Sequence, residues 1–263
     1  RSFNLARMLY GDGTGFLTSI TAVTDGVLTV QDTNNLIEGM LVDVYSTSAG
    51  VDKVAAKIVS IDRTDKKVTL SVAPTVTVGY LYNQGSKNKE ITGIKSIFAT
   101  GGNLYGVPRS SIASLLPYTK SSTGTLDDVK IQEVIDRVEN FANCTVDFIA
   151  MSQIAKYSYL DFLSSYKRNV DYMTTDTGFK AISFGGVPMV FERFVDSGTV
   201  YVMDTSTLKL HQLCDWRFLE TENGNILRQA QDKPVYTATL VKYCDLICAK
   251  PNGLARLTGV TRA

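Results

Sequence analysis

The apolar positions of this chain begin with a helical period. Leu5, Met8 and Leu9 stand at i, i+3 and i+4, and Gly11 follows where a left-handed residue ends a helix. Gly13 and Gly15, with Asp12 and Thr14 between them, free the backbone for a sharp exit, so Gly11, Gly13 and Gly15 read as a structural turn. From Phe16 the period falls to two. Short runs at Leu17–Val23, Val27–Val30, Met40–Tyr45, Val54–Ile61, Val68–Val72 and Val78–Tyr82 are separated by turn signals such as Asp25-Gly26, Glu38-Gly39 and Asp62–Lys66. Short strands at this spacing predict a small all-β barrel or sandwich.

Ile91–Tyr118 is loop-rich, with Gly101-Gly102, Gly106, Pro108 and Pro117 as breaks. A long amphipathic helix follows, capped by Thr125 or Asp127, with Ile131, Val134, Ile135, Val138, Phe141 and Ala142 on one stripe. Val146–Met151 predicts a buried strand. Ser152 then caps a second helix with a stripe of Ala155, Tyr159, Phe162, Leu163 and Tyr166. Lys167–Lys180 is polar and reads as a loop. Strands are predicted at Val187–Phe191, with Pro188 near its first residue or on an edge, at Val200–Met203, at Leu208–Leu213 and at Tyr236–Ala249. Helix, strand, helix and then strands indicate an α+β body.

Charge adds little to this picture. The net charge is +1 and no run of Lys or Arg marks a nucleic-acid groove or an anionic membrane patch. No apolar run approaches the roughly 20 residues a membrane helix needs. Candidate chemistry is equally sparse. The glycine turn lacks the Lys-Ser/Thr pair of a phosphate loop and follows a helix instead of opening one. His211 is the one histidine, and Cys214, three residues on, is expected on the opposite face of a strand. Cys244 and Cys248, four apart in a strand, are too distant to share a bridge or a metal and read as small buried thiols. No catalytic residue, cofactor or metal site is expected, and the chain is not read as an enzyme. Trp216-Arg217 has the composition of a subunit contact, with burial under a strand end as the more ordinary account. Tyr166 and Arg168, around Lys167, form a second candidate contact, weighed against a solvated helix end.

Leu9-Tyr10-Gly11-Asp12-Gly13-Thr14-Gly15 resembles the segment closing the long spine helix of tailed-bacteriophage major capsid proteins of the Hong Kong 97 type. The resemblance continues in order through Asp127–Leu163, Gly186-Val187-Pro188-Met189-Val190 and Tyr236–Val260. It implies that residues 1–15 are the end of the spine helix and its turn in a peripheral domain. Residues 16–90 would be an inserted β-domain, 91–230 an axial α+β domain, and 231–263 a return to the peripheral domain. In the minimal pattern the glycine turn leads almost directly to a Gly-Ile pair, placed here at Gly93-Ile94. The resemblance also implies an N-terminal arm, an extended loop and most of the spine helix before Leu5. These are expected to be lacking, so no cross-linking residue is carried over. The implied function is mechanical: self-assembly into hexamers and pentamers of an icosahedral shell around double-stranded DNA, in the virion, after assembly in a bacterial cytoplasm. Portal, scaffold and decoration proteins are the implied partners, with no membrane. The alternatives are an encapsulin-like compartment shell and a host-surface or carbohydrate-binding module built on the β-domain, for which Tyr45, Tyr80 and Tyr82 are the candidate aromatics.

Overall fold

The computed structural model describes residues 2–46, 50–166, 172–174, 180–220, 224–229 and 234–262. Helix α1 (Ser2–Tyr10) leads into six strands, β1 (Phe16–Thr24), β2 (Val27–Val30), β3 (Leu41–Ser46), β4 (Val51–Asp62), β5 (Lys67–Leu70) and β6 (Gly79–Asn83). They close into a barrel in the order β1-β2-β5-β4-β3-β6, with β6 returning to β1. Alternation fills it. Leu17, Leu28, Val42, Val44, Ile58, Val68 and Leu81 converge on one core, and the residues between them mostly face outward.

After the barrel come α2 (Ile94–Ile97) and the small hairpin of β7 (Asn103–Leu104) and β8 (Val107–Pro108). Next are β9 (Tyr118–Lys120), α3 (Asp128–Ala142), β10 (Phe148–Met151) and α4 (Gln153–Tyr166). The remaining strands are β11 (Tyr172–Thr174), β12 (Lys180–Phe184), β13 (Val187–Phe191), β14 (Val200–Met203), β15 (Leu208–Phe218), β16 (Arg228–Gln229), β17 (Tyr236–Thr237), β18 (Leu240–Cys248) and β19 (Leu254–Leu257). Five of them join β9 and β10 in one seven-stranded mixed sheet, β11-β12-β13-β10-β14-β19-β9, parallel at β10/β13 and β19/β9.

Both faces of this sheet are buried, which explains why β14 is apolar without alternation. Ile149, Met151, Val200, Val202 and Leu257 meet α3 and α4 on one side. Ala150, Tyr201, Met203 and Leu254 meet Tyr10, Ile94, Ile97, Phe98, Leu246 and Cys248 on the other. Asp127 supplies the cap of α3 by accepting from Lys130 N at 2.8 Å, and Asn143 ends that helix in the left-handed conformation. Ser152 Oγ accepts from Ala155 N at 3.4 Å to start α4. Pro188 lies one residue inside β13, before the parallel ladder with β10 begins at Met189, so its missing N–H leaves no ladder bond unmade.

Several expectations change. A strand, β11, stands in the segment expected as a loop, the strand expected at Tyr236–Ala249 is interrupted between Thr237 and Leu240, and Cys244 is only partly buried. Phe141 is 70% exposed although its neighbours Val138 and Ala142 are buried, because it lies at the margin of the α3 stripe, and its ring lies 3.9 Å from the Arg137 guanidinium. The strand expected at Leu208–Leu213 continues to Phe218 and pairs with β18 in a two-stranded ribbon outside the seven-stranded sheet. β19, expected with the return segment, lies inside that sheet between β14 and β9. Gly11 ends α1 without a left-handed φ: its N–H donates to Met8 O at 3.1 Å in a tightened last turn, and positive φ falls on Gly13 and Gly15.

Candidate functional site

Two places concentrate the features singled out in sequence, the stem that joins barrel to body and the ribbon of β15 and β18. The stem is built from glycines and hydrogen bonds. Gly13 and Gly15, at φ +82 and +76, turn the chain out of α1. Thr14 is held by Asp12 Oδ1, which accepts from both its N–H and its hydroxyl. The segment returning from β6 bonds to this turn, Asn83 N with Gly15 O, Asn88 N with Thr14 O and Glu90 N with Gly13 O. A Cβ placed on Gly93 would stand 2.2 Å from Gly11 O and 2.5 Å from Met8 O, so the two backbones touch at a distance only glycine allows.

Beside that contact the Arg7 guanidinium pairs with both oxygens of Glu90, at 3% and 4% side-chain exposure. A buried, doubly bonded pair of this kind fixes geometry more than it adds stability, since both charges lose their water. A second tie crosses the cleft of about 650 Å³ between barrel and body, where Arg193 Nη2 donates to Asn34 O at 2.7 Å. Sequence reading did not find the Arg7–Glu90 pair, because its partners are far apart in the chain. Nor did it find Arg109, which is buried and donates to Ile97 O and Ser96 O at the end of α2, its pKa lowered by desolvation.

The ribbon starts inside the body and leaves it. At its inner end Tyr105 donates its hydroxyl to Leu246 O and accepts from Cys248 N, both at 2.9 Å, while the Asp245 carboxylate accepts from Thr92 N and Thr92 Oγ1. Cys248 and Cys144 are buried free thiols, and desolvation raises both. Further out the ribbon is uncovered. Leu213 is 85% exposed and Trp216 56%, with Leu210, Phe218, Leu240 and Tyr243 exposed around them. Burial of Trp216 under a strand end is therefore overturned. It stands beyond the edge of the body, with the Lys242 ammonium 5.9 Å from its ring and paired with Asp215 at 2.9 Å. Arg217 is exposed beside it.

The second candidate contact lies outside the described residues, which include neither Arg168 nor the side chain of Tyr166 at the end of α4. His211 and Cys214 are not on opposite faces. They pair with Asp245 and Tyr243, two apart on β18, because the register shifts between Gln212 and Cys214. Among the described residues no hydrogen bond joins His211 to Cys214, and no group of three His, Cys, Asp or Glu side chains has the spacing of a metal site. No helix is long and apolar enough to cross a membrane.

No protein-family profile matches the chain, and no curated protein matches it. Solved structures do. A cyanophage A-1(L) capsid asymmetric unit is similar over 67% of this chain and 61% of its own, at 13% identity and a TM-score of 0.49. The holo-SrpI encapsulin complex from Synechococcus elongatus PCC 7942 is similar over 54% and 53%, at 15% identity and a TM-score of 0.40. A structure of phage G major capsid and decoration proteins is similar over 62% and 58%, at 9% identity and a TM-score of 0.35. The chain thus spans between half and about three-fifths of these solved chains.

Proposed function

We propose that this chain is a shell-forming structural protein, the major capsid protein of a tailed phage or prophage. Its copies form hexamers and pentamers of an icosahedral shell around double-stranded DNA, and its role is mechanical, without a catalytic residue or cofactor. The observation that carries this reading is the seat of Gly93 on Gly11 and Met8. The capsid-type resemblance expects the glycine turn to run almost directly into the Gly-Ile pair, and these two segments touch although residues 16–90 intervene. The barrel is then an insertion into a body that closes without it. In this reading α1 and the ribbon make the peripheral unit, and the seven-stranded sheet with α3 and α4 makes the axial unit.

The ribbon supports the same reading. Contacts repeated around a symmetry axis need an exposed apolar surface on every copy, and Leu213, Trp216 and Phe218 supply one, with Arg217 at its side. Light scattering and negative-stain electron microscopy test the proposal on this chain and on any longer form its gene encodes. Rings of five or six, or closed particles, are the expected result. Monomers at every salt and crowding condition, from both forms, would overturn it.

A further inference from the structure

The barrel carries an aromatic cluster on its outer wall that the assembly reading does not use. Tyr80 and Tyr82 alternate with the buried Leu81 on β6, so both point outward. Tyr45 is the register partner of Tyr80 on β3, and Phe16 is the partner of Tyr82 on β1. Four rings from three adjacent strands therefore share one patch. Their centroids lie 5.1 Å apart for Tyr45–Tyr82, 6.0 Å for Phe16–Tyr82 and 6.2 Å for Phe16–Tyr80, all edge-to-face. Each ring fixes its neighbour, so the patch is ordered before anything binds.

Its polar groups are unspent. Lys87 Nζ sits 3.8 Å from the Tyr45 ring centre and 5.2 Å from that of Tyr82, in cation–π contact, and among the described residues it has no carboxylate partner. Among the described residues none of the hydroxyls of Tyr45, Tyr80 and Tyr82 makes a hydrogen bond. Two carboxylates stand near Tyr82. Asp12 is at the patch edge, where it holds Thr14, and Asp43 is buried with both oxygens engaged, by Ala55 N and Gly85 N at 2.8 Å each. The patch offers ring faces, three phenol hydroxyls and one ammonium, with Asp12 balancing the charge.

Size selects the occupant. Tyr80, the most exposed of the four rings, is 37% exposed. An aromatic side chain buries about 150–250 Å² when fully covered, so the four together offer at most about 300 Å². A stable protein interface needs about 800 Å² from each partner. The patch is too small for a second copy or a folded partner, and its span of three strands, about 10 Å, is that of one or two pyranose rings.

We infer that the outer wall of the barrel, at Phe16, Tyr45, Tyr80, Tyr82 and Lys87, is a binding site for an uncharged glycan. The C–H face of a pyranose stacks on Tyr80, and its hydroxyls take hydrogen bonds from the phenols and from Lys87. The inference is independent of the shell reading, and the two fail separately.

The test is titration calorimetry and saturation-transfer NMR on the whole chain with cellohexaose, maltohexaose and chitohexaose, each up to about 10 mM, the range of weak single-site affinities. At least one is expected to bind saturably. Tyr80→Ala weakens it at least about fivefold, the loss of one stacked ring, and Tyr80→Phe retains most of the affinity. Both variants should melt with the parent and show its light-scattering profile. No saturable binding by any of the three sugars, or binding untouched by both Tyr80→Ala and Lys87→Ala, overturns the inference. So does a Tyr80→Ala variant that loses self-association and keeps its sugar, which would make the wall a contact between copies.

Discussion

Replacing Gly93 by alanine separates a steric cost from a backbone one. Gly93 sits at φ −85 and ψ 174, a conformation any residue adopts, so alanine brings no torsional strain. What it brings is one methyl group, 2.2 Å from Gly11 O, 2.5 Å from Met8 O and 2.8 Å from Gly11 C. Ordinary van der Waals contact begins near 3.4 Å. The two backbones must therefore part by about an ångström, whereas overpacked cores usually relieve their strain by shifting side chains. Neither side yields easily. Met8 O already accepts from Gly11 N, and Gly93 O accepts from Ser96 N at the start of α2. Overpacking costs about 1–3 kcal/mol, and a clash between fixed backbones belongs at the upper end, about 3 kcal/mol.

For a chain of this size about 3 kcal/mol corresponds to a drop in Tm of about 6–12 °C. Scanning calorimetry is the assay, because barrel and body need not melt together and calorimetry resolves two transitions. Gly101→Ala is the control. Its Cβ meets nothing within 4 Å, and its φ is not in the left-handed region, so the expected change is within about 0.5 kcal/mol. The body transition should fall in Gly93→Ala and stay in place in Gly101→Ala. Two variants melting within about 1 °C of each other would refute the close approach, and with it the argument that stem and core meet there.

Three further outcomes are expected. A Cβ on Gly15 would lie 2.7 Å from Ser86 O, so the ends of the barrel adjoin and joining Gly15 directly to Ser86 should leave a body with one calorimetric transition; a chain without native-like circular dichroism would contradict this. Burial raises the phenols of Tyr10 and Tyr201, the latter to about 12, while an unfolded phenol ionises near 10. Stability should therefore be level below about pH 10 and fall from there through about pH 12, by up to about 1.4 kcal/mol per pH unit for each tyrosine, and a urea midpoint constant across that window would exclude it. Leu213→Ser with Trp216→Ser removes apolar surface that touches solvent, so Tm should change little while self-association weakens; light scattering identical to the parent would remove the ribbon from the assembly surface.

The barrel was legible because its strands are separated by turn signals and some of them, β2 and β5 most plainly, alternate so that local pattern and final burial agree; β3, which buries Val42, Asp43 and Val44 in succession, does not. The stripes of α3 and α4 were legible for the same reason at the helical period, down to the Asp127 cap. Phe141 was not, because it sits at the margin of the stripe, where the helical period does not fix which side of the boundary a ring takes while Val138 and Ala142 beside it are buried. The stem was half legible. Its glycines are visible in sequence, but Gly11 acts through a contact with Gly93 and not through its own φ, and the Arg7–Glu90 pair has no local signature. His211 and Cys214 show the limit of counting along a strand, since one inserted residue puts both on the same face.

The ribbon was misplaced for a different reason. β15 reads as a strand whose apolar residues call for a covering layer, and pattern alone assigns that layer to the same molecule. The register shows where the assignment fails. Leu210 and Leu246 are directly opposite and share a face, yet Leu210 is half exposed and Leu246 is buried with Cys248 against Tyr10 and Ile97. The edge of the body passes between those two side chains. Beyond it the face continues through Gln212 and Cys244, and Phe218 lies opposite Leu240 further out with nothing over it. A strand written for burial that keeps its apolar residues past the last covering element implies a surface the folded chain does not supply. In sequence, burial within a molecule and burial between molecules carry the same pattern, and only the position of the body's edge along the strand tells them apart.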